Sequence, residues 1–139
     1  MNVEPLVVPG QLSSLSAIAQ YVLAAASRAG LDKKASYKLR LAIDEVATNI
    51  IVHGYAEAGL AGDITIKAEV SPERLVIRLE DRAIAFDPTS QQQPDCLDLP
   101  LQQRQIGGLG VFLAVDGVDS FDYEFVGGCN HNIFTVNLL

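Results

Sequence analysis

The stretch LRLAIDEVATNIIVHGY, Leu39 to Tyr55, carries apolar residues at three- and four-residue spacing, which predicts a helix packed against a core. The apolar positions are Leu39, Ala42, Ile43, Val46, Ala47, Ile50 and Ile51. Residues four apart lie about 40° apart around a helix, so Glu45, Asn49 and His53 form a polar row beside that apolar face. Such a row is either a solvated stripe or one wall of a binding site.

Composition limits the kind of protein that this chain can be. It has 139 residues, 49% of them hydrophobic, and a net charge of −7. We expect a single domain over residues 1–139, and no direct nucleic-acid partner because clustered cations are lacking. A nucleotide is not excluded, since backbone amides and a metal can hold its phosphates.

Cysteine usage and hydropathy predict the cellular compartment. Cys96 and Cys129 lack metal-ligand spacing and are expected to be free thiols in a reducing compartment. The sequence has no apolar run of about 18 residues, and MNVEPLVVPG lacks the features of a signal peptide. We therefore expect a cytoplasmic protein with no membrane partner.

The remaining patterns predict the order of helices and strands. VEPLVV predicts a first strand, and a helix capped by Ser13 or Ser14 follows and stops at Gly30. A second helix, capped by Asp32, is expected from residue 33 to about residue 54. DITIKAEV and RLVIRLED alternate as an antiparallel hairpin. After a polar, proline-containing segment and a short helix, LGVFLAVDG, the stretches DSFDYEFV and NIFTVNLL predict a second hairpin around GGCNHN. This order indicates an α+β fold, with helices covering one face of an antiparallel sheet.

Two further stretches carry chemistry. In EDRAIAFDP, Asp81 ends a strand and can accept a hydrogen bond from a ligand amine, although such an Asp is often only a turn residue. In QIGGLGVFLA, Gly107, Gly108 and Gly110 precede an apolar helix, and their exposed backbone amides can bind an anion. The sequence lacks the Gly-Lys-Ser/Thr of a P-loop at this point.

Together, IDEVATNIIVHGY, EDRAIAFDP and QIGGLGVFLA resemble the three ATP-binding boxes of the histidine-kinase-like (GHKL) ATPase superfamily. The resemblance is closest to its stand-alone anti-sigma-factor serine/threonine kinases and extends from about residue 12 to residue 138. It implies a two-layer α/β sandwich with a mostly antiparallel, mixed sheet, which the first strand can join. It also implies ATP and Mg²⁺ as cofactors.

The resemblance assigns roles residue by residue. Glu45 corresponds to the general base, Asn49 to the magnesium ligand, and Asp81 to the acid that hydrogen-bonds the adenine amine. The phosphate-binding turn corresponds to Gly107, Gly108, Leu109 and Gly110. The ATP lid corresponds to about residues 89–106 and carries one fixed positive charge, Arg104.

Four further residues bear on the site without matching a functional residue of the family. We expect His53 to be a hydrogen-bonded structural residue, and Asp44, which points about 100° away from Glu45, to be solvated or salt-bridged. Relatives carry a threonine beside adenine, but alternation places Thr135 opposite Phe134, so we exclude it. Ala83 replaces the family's glycine. If the turn needs a positive φ, the alanine is strained, and if adenine lies against the backbone, the methyl reduces the space for the base.

The resulting hypothesis is an ATP-dependent protein serine kinase and anti-sigma-type regulator. Its substrate would be a small anti-sigma-factor antagonist domain, and its client a sigma factor or another protein. The alternative is a non-catalytic partner-binding module of the same fold, in which Ala83 has weakened or abolished ATP binding. A plain regulatory ATPase is a third, weaker interpretation. Relatives often dimerise, so a homodimer through the first strand and helix is possible.

Overall fold

Two helices pack on one face of a five-stranded sheet in the computed structural model, which describes residues 2–85 and 118–138. The strands are β1 (Asn2–Pro9), β2 (Asp63–Val70), β3 (Arg74–Asp81), β4 (Ser120–Val126) and β5 (Cys129–Asn137). The helices are α1 (Leu15–Arg28) and α2 (Lys33–Asn49), with a 3-10 helix (Leu12–Ser14) before α1 and a π-helix (Ile50–Ala56) continuing α2. The α+β fold expected from the sequence is confirmed.

The sheet has the order β1-β2-β3-β5-β4. The first strand joins it by pairing with β2, as the resemblance implied. Every neighbouring pair in the described part of the chain is antiparallel, so the parallel pairing of a mixed sheet does not occur there. The register places Asp81 of β3 opposite Asn130 of β5, at one end of the sheet.

The core lies between the helices and one face of the sheet. Alternation in β2 and β3 puts one set of apolar residues on that face, and α1 and α2 cover it with theirs. The side chains that are essentially inaccessible to solvent include Ile18, Val22, Leu39, Ile43, Val46, Ile64, Ile66, Leu75, Ile77, Leu79 and Phe134. The opposite face of the sheet carries charged residues, among them Lys67, Arg78 and Glu80.

Local signals explain the helix boundaries, with one correction. The Asp32 carboxylate accepts the Ala35 N–H at 2.8 Å, so the predicted cap of α2 is confirmed. Gly30, with φ +82°, follows the end of α1. Ser14 stands at the start of α1 but does not cap it, because its hydroxyl donates to the Pro9 carbonyl instead.

A second correction concerns the final hairpin. The turn is formed by Gly127 and Gly128, both with positive φ, and β5 starts directly after them at Cys129. Positive φ at both central residues is the requirement of a tight hairpin turn. The residues CNHN, expected in the turn, therefore belong to the strand. Cys129 is a free thiol, as expected. Among the helices in the described ranges, none is long and apolar enough to cross a membrane.

Candidate functional site

Asn49 and Asp81 line the same pocket, between the end of α2 and the end of β3. The remaining lining residues are Val46, Ile50, Gly54, Ala83, Ile84, Asn130 and Asn132. The helix side of the pocket is thus apolar apart from Asn49, and the strand ends on the other side contribute Asp81, Asn130 and Asn132. The structure brings together two of the residues that the sequence had singled out in separate motifs.

Asp81 is a buried acid with an incomplete set of partners. Its side chain is 3% exposed, and its Oδ1 accepts the Ala83 N–H at 2.9 Å and the Asn130 Nδ2–H at 2.9 Å. Its Oδ2 is buried and has no hydrogen-bond partner. Burial raises the pKa of Asp81 above its ordinary value, while the bonds from Asn130 and Ala83 and the nearby His131 oppose that rise.

The turn that follows Asp81 is held from both sides. The bond from the Ala83 N–H to the Asp81 side chain is an Asx-turn. The Arg82 N–H donates to the Tyr55 hydroxyl at 3.0 Å, and that hydroxyl donates to the Asp63 carbonyl at 2.8 Å. Tyr55 lies in the π-helix, so this segment positions the turn beside the pocket.

Asn130 and Asn132 are pocket residues that the sequence analysis missed. Both are buried, and both face the core side of β5 together with Phe134. The Asn130 amide contacts Asp81, whereas the Asn132 Oδ1 is buried without a hydrogen-bond partner. The signal that could have found them is the alternation Asn130, Asn132, Phe134 directly after the Gly-Gly pair.

The end of α2 supplies the other side of the site. Asn49 is 7% exposed and is the last residue of α2, directly before the π-helix. Glu45 lies one turn earlier, is half-buried and does not line the pocket itself. π-Helical turns are rare and often occur at functional sites. Here the change of helix type follows Asn49, so the predicted α-helix to about residue 54 ends earlier than expected.

The donor set is compatible with a cation that is held mostly by phosphate. Within residues 2–85 and 118–138, no group of three His, Cys, Asp or Glu side chains could hold a metal ion. Mg²⁺ often keeps several waters and takes its remaining ligands from substrate phosphates. A single amide oxygen from Asn49 suits such a site, because it adds no negative charge beside the phosphates.

The structure also places the neighbours of the polar row. Asp44 pairs with Arg40 at 3.3 Å, and His53 Nδ1 lies 2.9 Å from Glu57 Oε1. Asp44 is therefore salt-bridged and His53 hydrogen-bonded, as predicted. Burial raises the pKa of Asp44, and the charge of Arg40 opposes this rise.

Thr135 lies on the face of β5 opposite to Phe134, so its exclusion agrees with the structure.

Ala83 is accommodated without backbone strain. None of the non-glycine residues described, Ala83 among them, has a positive φ, so the strain considered for this position does not occur. Its methyl group lies on the pocket wall against Gly54: a Cβ added to Gly54 would come within 2.8 Å of the Ala83 Cβ. The other effect considered for Ala83, a methyl group that reduces the space for a base, is compatible with this position on the pocket wall.

Part of the predicted site lies outside the described residues. This applies to the lid at about residues 89–106 with Arg104, and to the phosphate-binding turn of Gly107, Gly108, Leu109 and Gly110. It also applies to Cys96. The roles assigned to these residues stay predictions.

Comparison with known proteins adds an independent line of evidence. Residues 8–135 match the family model described as the histidine kinase-like ATPase domain. The serine-protein kinase RsbW of Listeria innocua is 32% identical over 91 residues, which cover 63% of this chain and 57% of that protein. The serine-protein kinase RsbW of Bacillus cereus is 28% identical over 109 residues, 76% of this chain and 67% of that protein. The chain thus spans less than two thirds of the length of the Listeria protein.

Proposed function

The chain belongs to the histidine kinase-like ATPase family, and we propose that it is an ATP-dependent protein serine kinase of the anti-sigma-factor type. Its substrate in this proposal is a small anti-sigma-factor antagonist domain, which releases the kinase once it is phosphorylated, and its client is a sigma factor or another protein. The similarity to two RsbW serine-protein kinases supports the proposal. A cytoplasmic location, where ATP is the phosphate donor, belongs to the same proposal, as do a single domain and a homodimer.

The observation that carries the proposal is the buried, unpartnered Oδ2 of Asp81 in the pocket. Leaving a buried acceptor unsatisfied costs about 1–3 kcal/mol, and more for a charged group. A ligand that donates an N–H at this point offsets the cost. The exocyclic amine of adenine is such a donor, and the apolar wall of Val46 and Ile50 suits the faces of the base.

Asn49 and Glu45 would act at the other end of the nucleotide. Asn49 would offer its amide oxygen to the magnesium ion, whose charge, when it is bound, offsets that of the ATP phosphates. Glu45, one helical turn away and partly accessible, would accept the proton of the attacking serine hydroxyl. Because Glu45 is only half-buried, the serine of a protein substrate could reach it. A residue inside the pocket would not be accessible to such a substrate.

The alternative, a non-catalytic partner-binding module, depends on Ala83. The methyl group of Ala83 on the pocket wall supports weaker ATP binding. The unstrained φ removes the stronger part of that argument, since the turn does not require glycine. The unsatisfied Asp81 Oδ2 favours the nucleotide-binding form, because an emptied pocket gains nothing from a buried carboxylate without a donor.

The test is phosphoryl transfer from ATP to a purified anti-sigma-factor antagonist domain, compared between Glu45→Gln and Asp44→Asn. Both substitutions turn an acid into its amide at adjacent positions of α2. We expect Glu45→Gln to lower the transfer rate by about 10²–10⁴ while ATP binding, measured by calorimetry, is kept. Asp44→Asn should keep both. Equal rates in the two variants would remove Glu45 from the reaction, and no ATP binding by the wild type would favour the emptied module.

A further inference from the structure

The Asn130 side chain contacts the turn that follows Asp81 as well as Asp81 itself. It lies directly opposite Asp81 in the β3–β5 register. Its Nδ2 lies within hydrogen-bonding distance of Asp81 Oδ1 at 2.9 Å and of the Ala83 and Ile84 carbonyls, each at 3.1 Å, so one of its two N–H groups is shared between acceptors. One buried amide therefore holds both the acid and the backbone that follows it.

Tyr123 holds the oxygen end of this amide. The Tyr123 hydroxyl, on the neighbouring strand β4, donates to the Asn130 Oδ1. If the amide turned over, its oxygen would face Asp81 Oδ1 and two carbonyl oxygens, all of them acceptors. These three acceptors therefore set the orientation of the amide, and the Tyr123 hydroxyl, which can donate or accept, holds its oxygen end, so Tyr123, Asn130 and Asp81 form a chain of hydrogen bonds.

The chain of bonds determines which oxygen of Asp81 is available. Oδ1 already accepts from two N–H groups, those of Ala83 and Asn130. Rotation of the carboxylate would break both bonds, and Oδ2 is left as the acceptor without a partner. The same two bonds favour the ionised form of Asp81, which opposes the rise in its pKa caused by burial.

We propose that Asn130 is a positioning residue for nucleotide recognition, which acts through Asp81 and is itself held by Tyr123. By holding Oδ1, Asn130 directs Oδ2 toward the exocyclic amine of a 6-aminopurine. This inference rests on the proposed function, because it takes the base to be recognised by Asp81. It adds a role for two residues of the second hairpin, Asn130 and Tyr123.

The test compares ATP with purine riboside triphosphate, which lacks only the 6-amino group, in calorimetric titrations. The wild type should bind ATP about tenfold or more tightly than the analogue, as expected for a hydrogen bond to a charged group. In Asn130→Leu the preference should fall to about threefold or less, through loss of ATP affinity alone. Tyr123→Phe should lower it in the same direction by a smaller factor.

Matched controls and the competing outcomes separate positioning from general support. Asn137→Leu makes the same change at an exposed position of β5, and Tyr37→Phe removes an exposed hydroxyl on α2; both should keep the wild-type preference. A merely structural role for Asn130 predicts equal weakening of both nucleotides, with the preference unchanged. That result overturns the inference.

The design also distinguishes this inference from the proposed function. If the wild type binds ATP and the analogue equally, or binds neither, recognition of the amine by Asp81 fails, and the inference fails with it. If the wild type prefers ATP and Tyr123→Phe and Asn130→Leu keep the full preference, only the inference is wrong. Should Asn130→Leu not fold, Tyr123→Phe decides, since it removes one hydroxyl and leaves the buried amide in place.

Discussion

Glu80 and Asp81 are consecutive acids at the end of β3, and they lie on opposite faces of the sheet in opposite environments. Glu80 faces the side without helices, where its Oε2 lies 3.1 Å from Lys67 Nζ and 3.5 Å from His131 Nδ1. Asp81 faces the pocket, where its hydrogen-bond partners are an amide and a backbone N–H and one oxygen has none. The charge of Glu80 is compensated by cations, whereas Asp81 keeps a buried acceptor without a donor inside a pocket, where a ligand could supply one.

The difference has a consequence for stability as a function of pH. Because burial raises the pKa of Asp81, the folded protein holds a proton at pH values where the unfolded chain has already released it. The free energy of unfolding therefore falls as the pH rises from the ordinary aspartate value through the raised one. Once Asp81 is ionised in the folded protein, its buried charge lowers the free energy of unfolding, and a bound donor would reduce that loss.

The largest effect that we predict comes from Asp81→Asn. The amide can keep an acceptor for the Ala83 N–H, but its NH₂ group would replace Oδ2 and cannot accept from an amine. We expect ATP affinity to fall by about 10–100-fold, which corresponds to about 1.5–3 kcal/mol. Thermal stability at neutral pH should stay the same or rise, because a costly buried charge is removed.

Glu80→Gln is the matched control on the other face of the sheet. It should leave ATP affinity unchanged and alter the free energy of unfolding by less than about 1 kcal/mol, as partly exposed ion pairs do. Calorimetry and thermal unfolding on both variants check the comparison. If the two amides weaken ATP binding equally, or if Asp81→Asn binds ATP like the wild type, the distinction between the two acids is wrong.

Much of the fold could be predicted because its signals are local. The alternation in β2 and β3 and the Asp32 cap each depend on residues close in sequence, and the predicted bounds of these strands agree with the structure. The change from α-helix to π-helix after Asn49 could not be predicted. It has no propensity signal, and the packing of Tyr55 in the π-helix against Gly10 and Gly62 joins residues that are far apart in sequence.

The sequence singled out residues of the candidate site only where the residue type and its local position suggest chemistry. Asp81 and Asn49 were found because an acid at a strand end and an amide on an apolar helix are conspicuous. Asn130 was missed because polar residues after Gly-Gly were assigned to the turn, whereas the positive φ of Gly127 and Gly128 completes the turn in two residues. Its role depends on a register with β3 that no local pattern contains.

The second prediction tests how closely the pocket side of β3 is packed. Gly54→Ala would place a Cβ 2.8 Å from the Ala83 Cβ, and neither atom can move without its backbone. Overpacking of this kind costs about 1–3 kcal/mol. Helix propensity alone would favour alanine by up to about 1 kcal/mol. We expect a net loss of stability, measured by chemical denaturation, together with weaker ATP binding as Ile84 and the turn shift. A more stable variant would show that the space between Gly54 and Ala83 can accommodate the added methyl group.

The smallest effect is expected from Ala83→Gly, and it is the most informative about the pocket. Since φ at this position is not positive, glycine relieves no strain. It should lower the free energy of unfolding by about 0.4–1 kcal/mol through the freedom of the unfolded chain, with a further loss from the methyl contact. ATP affinity should rise modestly if that methyl narrows the space for the base, and stay unchanged if it does not.

The effect of Gly54→Ala on stability should change sign when Ala83→Gly is also present. With glycine at position 83, the alanine of Gly54→Ala no longer meets a Cβ, so only its favourable helix propensity remains. We therefore expect Gly54→Ala to destabilise the wild type but to be neutral or stabilising in the Ala83→Gly background, which a double-mutant cycle measures directly. Additive effects would mean that Gly54 and Ala83 do not share one space. In that case Ala83 would not restrict the pocket through this contact, and the non-catalytic alternative would lose the residue on which it depends.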